Sequence, residues 1–100
     1  MQRKLAAVLA SPKYPSKTEE RISFLCTAIT HEAIELQRLT NWKWWKNPIN
    51  FDSEEAREEL IDIWHFLLQA TIELDMTADD VVKYYSKKNK INKKRKKMNY

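Results

Sequence analysis

Two acidic pairs dominate the chemistry this sequence offers: Glu32-x-x-Glu35 within THEAIELQ, and Glu59-x-x-Asp62 within REELIDIWHF. Residues three apart on a helix project from the same face, so each pair presents two carboxylates side by side. Four carboxylates on two neighbouring helices repel one another unless a cation lies between them. Mg²⁺ takes oxygen ligands and keeps several waters, so this set suits it and points towards phosphate chemistry. Zn²⁺ fits poorly, because the only histidines are His31 and His65 and neither has partner cysteines. Di-iron bundles want Glu-x-x-His on each of two helices, and Asp62-x-x-His65 is a single near match.

The carboxylates also fall where charge is costly. In helical projection, Glu32 lies in the sector of Leu25, Leu36 and Leu39, with Glu35 at its edge near Phe24 and Ala28. Glu59 and Asp62 flank Phe66, and Glu55 lies one turn earlier on that side. A carboxylate on a core-facing stripe is destabilising unless it is paired or binds a metal. Solvated acidic helix faces are common, so either pair alone says little. Two pairs that both lean into apolar stripes say more. All four are candidate Mg²⁺ ligands and catalytic residues, with Glu35 preferred as acceptor of a proton from an attacking water.

Two further segments offer ligand contacts. In Asn41-Trp42-Lys43-Trp44-Trp45-Lys46-Asn47-Pro48, three Trp within four residues alternate with Lys. Such rings stack on nucleobases while Lys reaches phosphate, but they also plug bundle ends or subunit interfaces, the expectation for at least two of the three. Near the C-terminus, Tyr85, Lys88, Asn92 and Arg95 recur at 3, 4 and 3 residues along one helical face. Arg and Lys there suit a di- or triphosphate, and Asn a sugar or base edge. Lys87, Lys90, Lys93, Lys94 and Lys97 read as a solvated face. His65, three residues after Asp62, is on its own a hydrogen-bonded structural residue more often than a catalyst.

Helices must position all of this. The 100 residues contain no Gly, and Pro only at 12, 15 and 48, which disfavours a turn-rich β fold. The reading is all-α: three main helices and a short N-terminal one form a single domain over residues 1–100, a compact bundle completed by oligomerisation. The first main helix is expected from Ser16 or Thr18 to Thr40, with Ser16 as N-cap and Ile22, Leu25, Cys26, Ile29, Ala33, Leu36 and Leu39 as its apolar stripe. The second starts at Asp52 or Ser53 and carries Leu60, Ile63, Trp64, Leu67, Leu68 and Thr71 to about Leu74. Thr77 caps the third, a Lys-rich C-terminal helix over about 77–100. Gln2 to Leu9 form the short extra helix.

Charge is unevenly spread. The net charge of +4 combines 14 acidic residues, all before position 81, with nine basic and no acidic residues from Lys83 to Lys97. Lone Cys26 has no internal disulfide partner, and its apolar neighbours predict a buried, reduced thiol. The apolar run from Leu5 to Ala10 is too short for a signal peptide and no run is long enough to span a membrane, so a soluble, cytoplasmic protein is expected.

In this order, HEAIEL, NWKWWK, EELIDIWHFLL and YYSKKNKINKKRKKMNY resemble the all-α nucleoside triphosphate pyrophosphohydrolase (MazG-like) superfamily and, within it, the dimeric-type all-α dUTPases. The resemblance spans about residues 25–100. The acidic pairs indicate the superfamily; WKWWK, DIWHF and Tyr85-x-x-Lys88-Asn89-x-x-Asn92-x-x-Arg95 indicate the dUTPases. It implies that Glu32, Glu35, Glu59 and Asp62 ligate Mg²⁺ ions that bridge a triphosphate. Trp45 would line the nucleotide pocket with Lys43 or Lys46 nearby, and His65 would contact the deoxyribose. Lys88, Asn92 and Arg95 would close over phosphates and base. The implied reaction is dUTP plus water to dUMP and diphosphate, in a homodimer or homotetramer. Two features depart from the pattern: Gln2 is the only amide side chain before residue 37 available to read uracil, and Asn99 stands where a glycine is expected. Two other readings remain open at this point: a MazG-like hydrolase of different base preference, and a non-catalytic helical protein that binds nucleic acid through its Lys tail.

Overall fold

A computed structural model describes residues 2–97 of the chain, with the side chains of residues 2–4 outside the description. Four helices follow one another: α1 (Gln2–Ala10), α2 (Thr18–Gln37), α3 (Ser53–Glu73) and α4 (Ala78–Lys97). Among the described residues there is no strand, so the all-α expectation holds, including the short N-terminal helix.

The core is the α2–α3 pair. Arg21 near the start of α2 meets Glu73 at the end of α3, while Glu32 meets Glu59 further in, so the two helices run antiparallel. Along α3, the less exposed positions Ala56, Glu59, Ile63, Phe66, Ala70 and Glu73 alternate by three and four residues. That is the spacing of a helix seam. Among the described residues Leu25, Ala56 and Phe66 are the buried apolar ones, and α1 touches α3.

Local chemistry explains where the helices start and stop. Asp52 caps α3, its Oδ1 accepting from the N–H groups of Glu54 and Glu55, both at 3.1 Å. The expected Ser16 cap is not formed: Lys17 occupies the N-cap position of α2 without a side-chain bond. Helix α2 also ends earlier than expected, at Gln37, and Thr40 lies in a turn with its hydroxyl on the Gln37 carbonyl at 2.6 Å. Between α2 and α3, Asn41 closes the tryptophan loop with two bonds to one residue. Its Nδ2 donates to the Ile49 carbonyl at 3.1 Å, and the Ile49 N–H donates to its Oδ1 at 2.7 Å.

The α3–α4 joint is equally specified. Asp75 takes a left-handed φ of 54°. Its N–H donates to the Ile72 carbonyl at 2.9 Å and that of Met76 to Thr71 at 3.1 Å, the paired bonds of a Schellman ending. A reciprocal capping box follows at once. The Thr77 N–H donates to Asp80 Oδ2 at 2.8 Å, and the Asp80 N–H to Thr77 Oγ1 at 3.1 Å. Thr77 therefore caps α4 as the sequence predicts. Helix α4 then packs against none of the other three, and every described residue from Val81 onward is exposed. The radius of gyration, 17.3 Å, exceeds the roughly 13 Å of a 100-residue chain packed on one core, as a helix standing off requires. Residues 98–100, where the Lys-rich helix was expected to finish, lie outside the described residues.

Several expected core positions are not buried in this chain. Cys26 is exposed, not buried, and so is Ala33. Both sit on the flank of α2 turned from α3, where the broad apolar stripe has no opposing helix. On α3, Leu60, Trp64, Leu67 and Leu68 are about half exposed for the same reason.

Candidate metal centre

Where α2 crosses α3, oxygens of Glu32, Glu59 and Asp62 lie within 4.8 Å of one another. Glu32 is held at the crossing by its place on the seam and is only 2% exposed. Glu59 and Asp62, one turn apart on α3, are half-buried. Glu59 Oε2 is buried with no hydrogen-bond partner among the described residues, an arrangement that is unfavourable unless something else satisfies it. Burial, followed by the charges of Asp62, Glu35 and Glu32, pushes the Glu59 carboxyl above its ordinary value. A divalent cation would relieve both the crowding and the desolvation, and an all-oxygen donor set from two helices suits Mg²⁺. The residues present fit the ion.

Glu35, the fourth carboxylate of the pattern, is exposed and stands outside this trio, although its charge reaches Glu59. His65 follows Asp62 by one turn of α3 and is half-buried. About 9 Å along α2 from Glu32, by helical rise, the tryptophan loop opens a hollow of about 570 Å³. Arg38, Lys43 and Lys46 line it with Trp42, and no carboxylate does. Such a hollow attracts anions. Trp45 does not line it. Its ring instead stacks edge-on against Trp42 at 6.2 Å and Trp44 at 5.6 Å. All three rings are exposed in this chain, Trp44 at 83%, so none plugs the end of its own bundle.

Tyr85, Lys88, Asn92 and Arg95 do share a helix, but that helix is α4, and it does not approach α2 or α3. The tail and the carboxylates are therefore not brought together within the chain. Gln2, the one candidate for reading a base, has its side chain outside the described residues.

Residue spacing marks out neither Arg38 nor the loop-closing role of Asn41. Their signal is position: a cation one turn beyond Glu35, and an Asn where a helix gives way to a loop. Nor does spacing mark out a polar latch at the far end of the α2–α3 pair. There Glu73 accepts from Gln69 Nε2 at 2.8 Å and Tyr14 OH at 3.5 Å, and pairs with Arg21 Nη1 at 3.2 Å. Arg21 Nε also donates to the Pro15 carbonyl at 2.6 Å, tying down the segment between α1 and α2. The contact joins residues 52 positions apart, and no local pattern announces it.

No helix is long and apolar enough to cross a membrane. No curated protein and no solved structure matches the chain. A family model described as dUTPase matches residues 1–78, a range that takes in α1, α2, the tryptophan loop and α3 and ends at the first residue of α4.

Proposed function

This chain belongs to the dUTPase family, and from that premise we propose an Mg²⁺-dependent pyrophosphohydrolase that converts dUTP and water to dUMP and diphosphate. Membership makes the chain a nucleotide hydrolase of the dUTP diphosphatase type; the metal, the base and the assembly are the proposed parts. The observation that carries the metal is the buried Glu59 oxygen without a hydrogen-bond partner, inside a group of three converging carboxylates.

Glu32, Glu59 and Asp62 would hold the ion. When bound, Mg²⁺ supplies positive charge against a polyphosphate and makes a coordinated water more acidic. The chain's own residues do the rest. Glu35, exposed and outside the trio, would accept the water's proton. Arg38, Lys43 and Lys46 would hold anionic oxygens at the loop hollow, which Trp42 also lines, and Trp45, exposed beside Trp42, would offer a face to a base. His65 serves the sugar, and Lys88, Asn92 and Arg95 close over the phosphates. The catalyst is a homodimer or homotetramer, acting in the cytoplasm as a single domain.

A panel of dNTPs and NTPs with Mg²⁺, scored for monophosphate and diphosphate, tests this reading. The expected result is dUTP turnover that requires the metal and falls at least about a hundredfold in Glu35→Gln and in Asp62→Asn, with helicity unchanged. Undiminished diphosphate release in both variants sinks the assignment. Equal turnover of other nucleotides makes it a MazG-like hydrolase of different preference.

A further inference from the structure

We propose that α4 is a docking helix for double-stranded DNA, holding the phosphate backbone with a lysine stripe and reading no sequence. The stripe is Lys83, Lys87, Lys90, Lys94 and Lys97, spaced 4, 3, 4 and 3 residues apart. By helical geometry the five fall within a sector of about 80° and extend about 21 Å along the axis. Lys88, Asn92 and Arg95 fall outside that sector. None of the five has a part in the proposed hydrolysis, so neither reading depends on the other.

The setting of α4 keeps these charges available. The helix packs against none of the other three, and all five lysines are exposed. None of them pairs with a carboxylate among the described residues. By helical rise the first stands about 9 Å and the last about 30 Å beyond Thr77, and the left-handed Asp75 with the Thr77–Asp80 box fixes that exit. The acidic α2–α3 pair therefore leaves them unneutralised. Lysines three and four apart on a helix repel one another, so the row is unfavourable alone and a polyanion relieves it.

The chemistry of α4 selects the polyanion. A lipid surface needs an apolar face beneath the cations. Ile91 is the last apolar residue of α4, and only Asn, Lys and Arg follow it there. A single strand is held by bases stacked on aromatic rings, and the stripe contains none. Duplex DNA needs neither. It is stiff and carries one negative charge per about 1.7 Å of axis, so a straight row of about 21 Å faces about 12 phosphates. Backbone contacts of this kind carry no sequence information.

Fluorescence anisotropy of the full chain on a labelled duplex of about 20 bp tests the proposal. Five phosphate contacts predict a slope of log K against log salt of about −4.5, an affinity loss of about 500-fold between about 50 and 200 mM. Lys87→Gln/Lys94→Gln should reduce that slope by about 2. Lys93→Gln/Lys96→Gln removes the same charge outside the stripe and should reduce it by less than half as much, with helicity retained in both. No binding at about 50 mM salt, or an equal loss in the two double variants, overturns the proposal. So does tighter binding to a single strand of the same length, or to phosphatidylcholine–phosphatidylserine vesicles at matched charge.

Discussion

Glu59 shows why a carboxylate cluster is legible in a sequence while its membership is not. An acidic residue on a seam otherwise made of Ala56, Ile63 and Phe66 breaks the local pattern, and helical spacing alone exposes the breach. Which carboxylates actually converge depends on how two helices cross, so Glu35 could not be set apart from Glu32 by spacing. The crowding has a measurable consequence. Glu59→Gln removes a charge held against burial and three like charges, so it should stabilise the metal-free protein by about 1 kcal/mol, a Tm rise of about 4–8 °C. The same substitution should abolish the Tm increase that Mg²⁺ gives the wild type; calorimetry with and without Mg²⁺ checks both. Glu73 behaves in the opposite way. The hydrogen bond from Gln69 and the Arg21 guanidinium hold its carboxyl below the ordinary 4.5. Its contribution is therefore complete above that value and is lost as pH falls through the lowered one. Glu73→Gln should cost about 1–2 kcal/mol near neutrality. The gap between the two denaturation midpoints should close as the pH drops below 4.5.

At the scale of elements, the sequence reveals ends better than faces. Asp52 and Thr77 act within three residues of themselves, so their caps are visible in the residue order. Ser16 has the right side chain but forms no cap: Lys17 takes the N-cap position, and Arg21 ties down the preceding chain at the Pro15 carbonyl. The apolar residues of α2 and α3 are easily assigned to helices, yet periodicity does not say what covers them. The other described residues leave Cys26, Trp64 and Leu68 exposed. The α3–α4 joint gives the test at this scale. A β-branched side chain tolerates the left-handed conformation poorly, so Asp75→Val should cost about 1–2 kcal/mol. Asp75→Gly should be neutral or stabilising. Thermal melts of the two variants separate this backbone effect from mere loss of the carboxylate.

The whole molecule is an acidic helical pair with a basic helix held away from it. Without the nine basic residues from Lys83 to Lys97, the formal charge changes from +4 to −5. That asymmetry is plain in the sequence; the separation of the two parts is not, because it depends on how the joint at Asp75 directs the chain. Among the described residues Leu25, Phe66 and Ala56 alone are buried apolar groups, a thin core, while Trp64, Leu67, Leu68 and Ile72 are about half exposed on α3. In the proposed oligomer a second copy would cover these side chains. Sedimentation at micromolar concentration should find an oligomer, and Leu68→Glu should shift it towards monomer mass with a lower Tm. Unchanged mass in that variant would place the interface elsewhere.

The stand-off of α4 also bears on ionic strength. The joint at Asp75 holds nine basic residues clear of the acidic α2–α3 pair, so salt screens the two charges separately and each end meets polyions of opposite sign on its own.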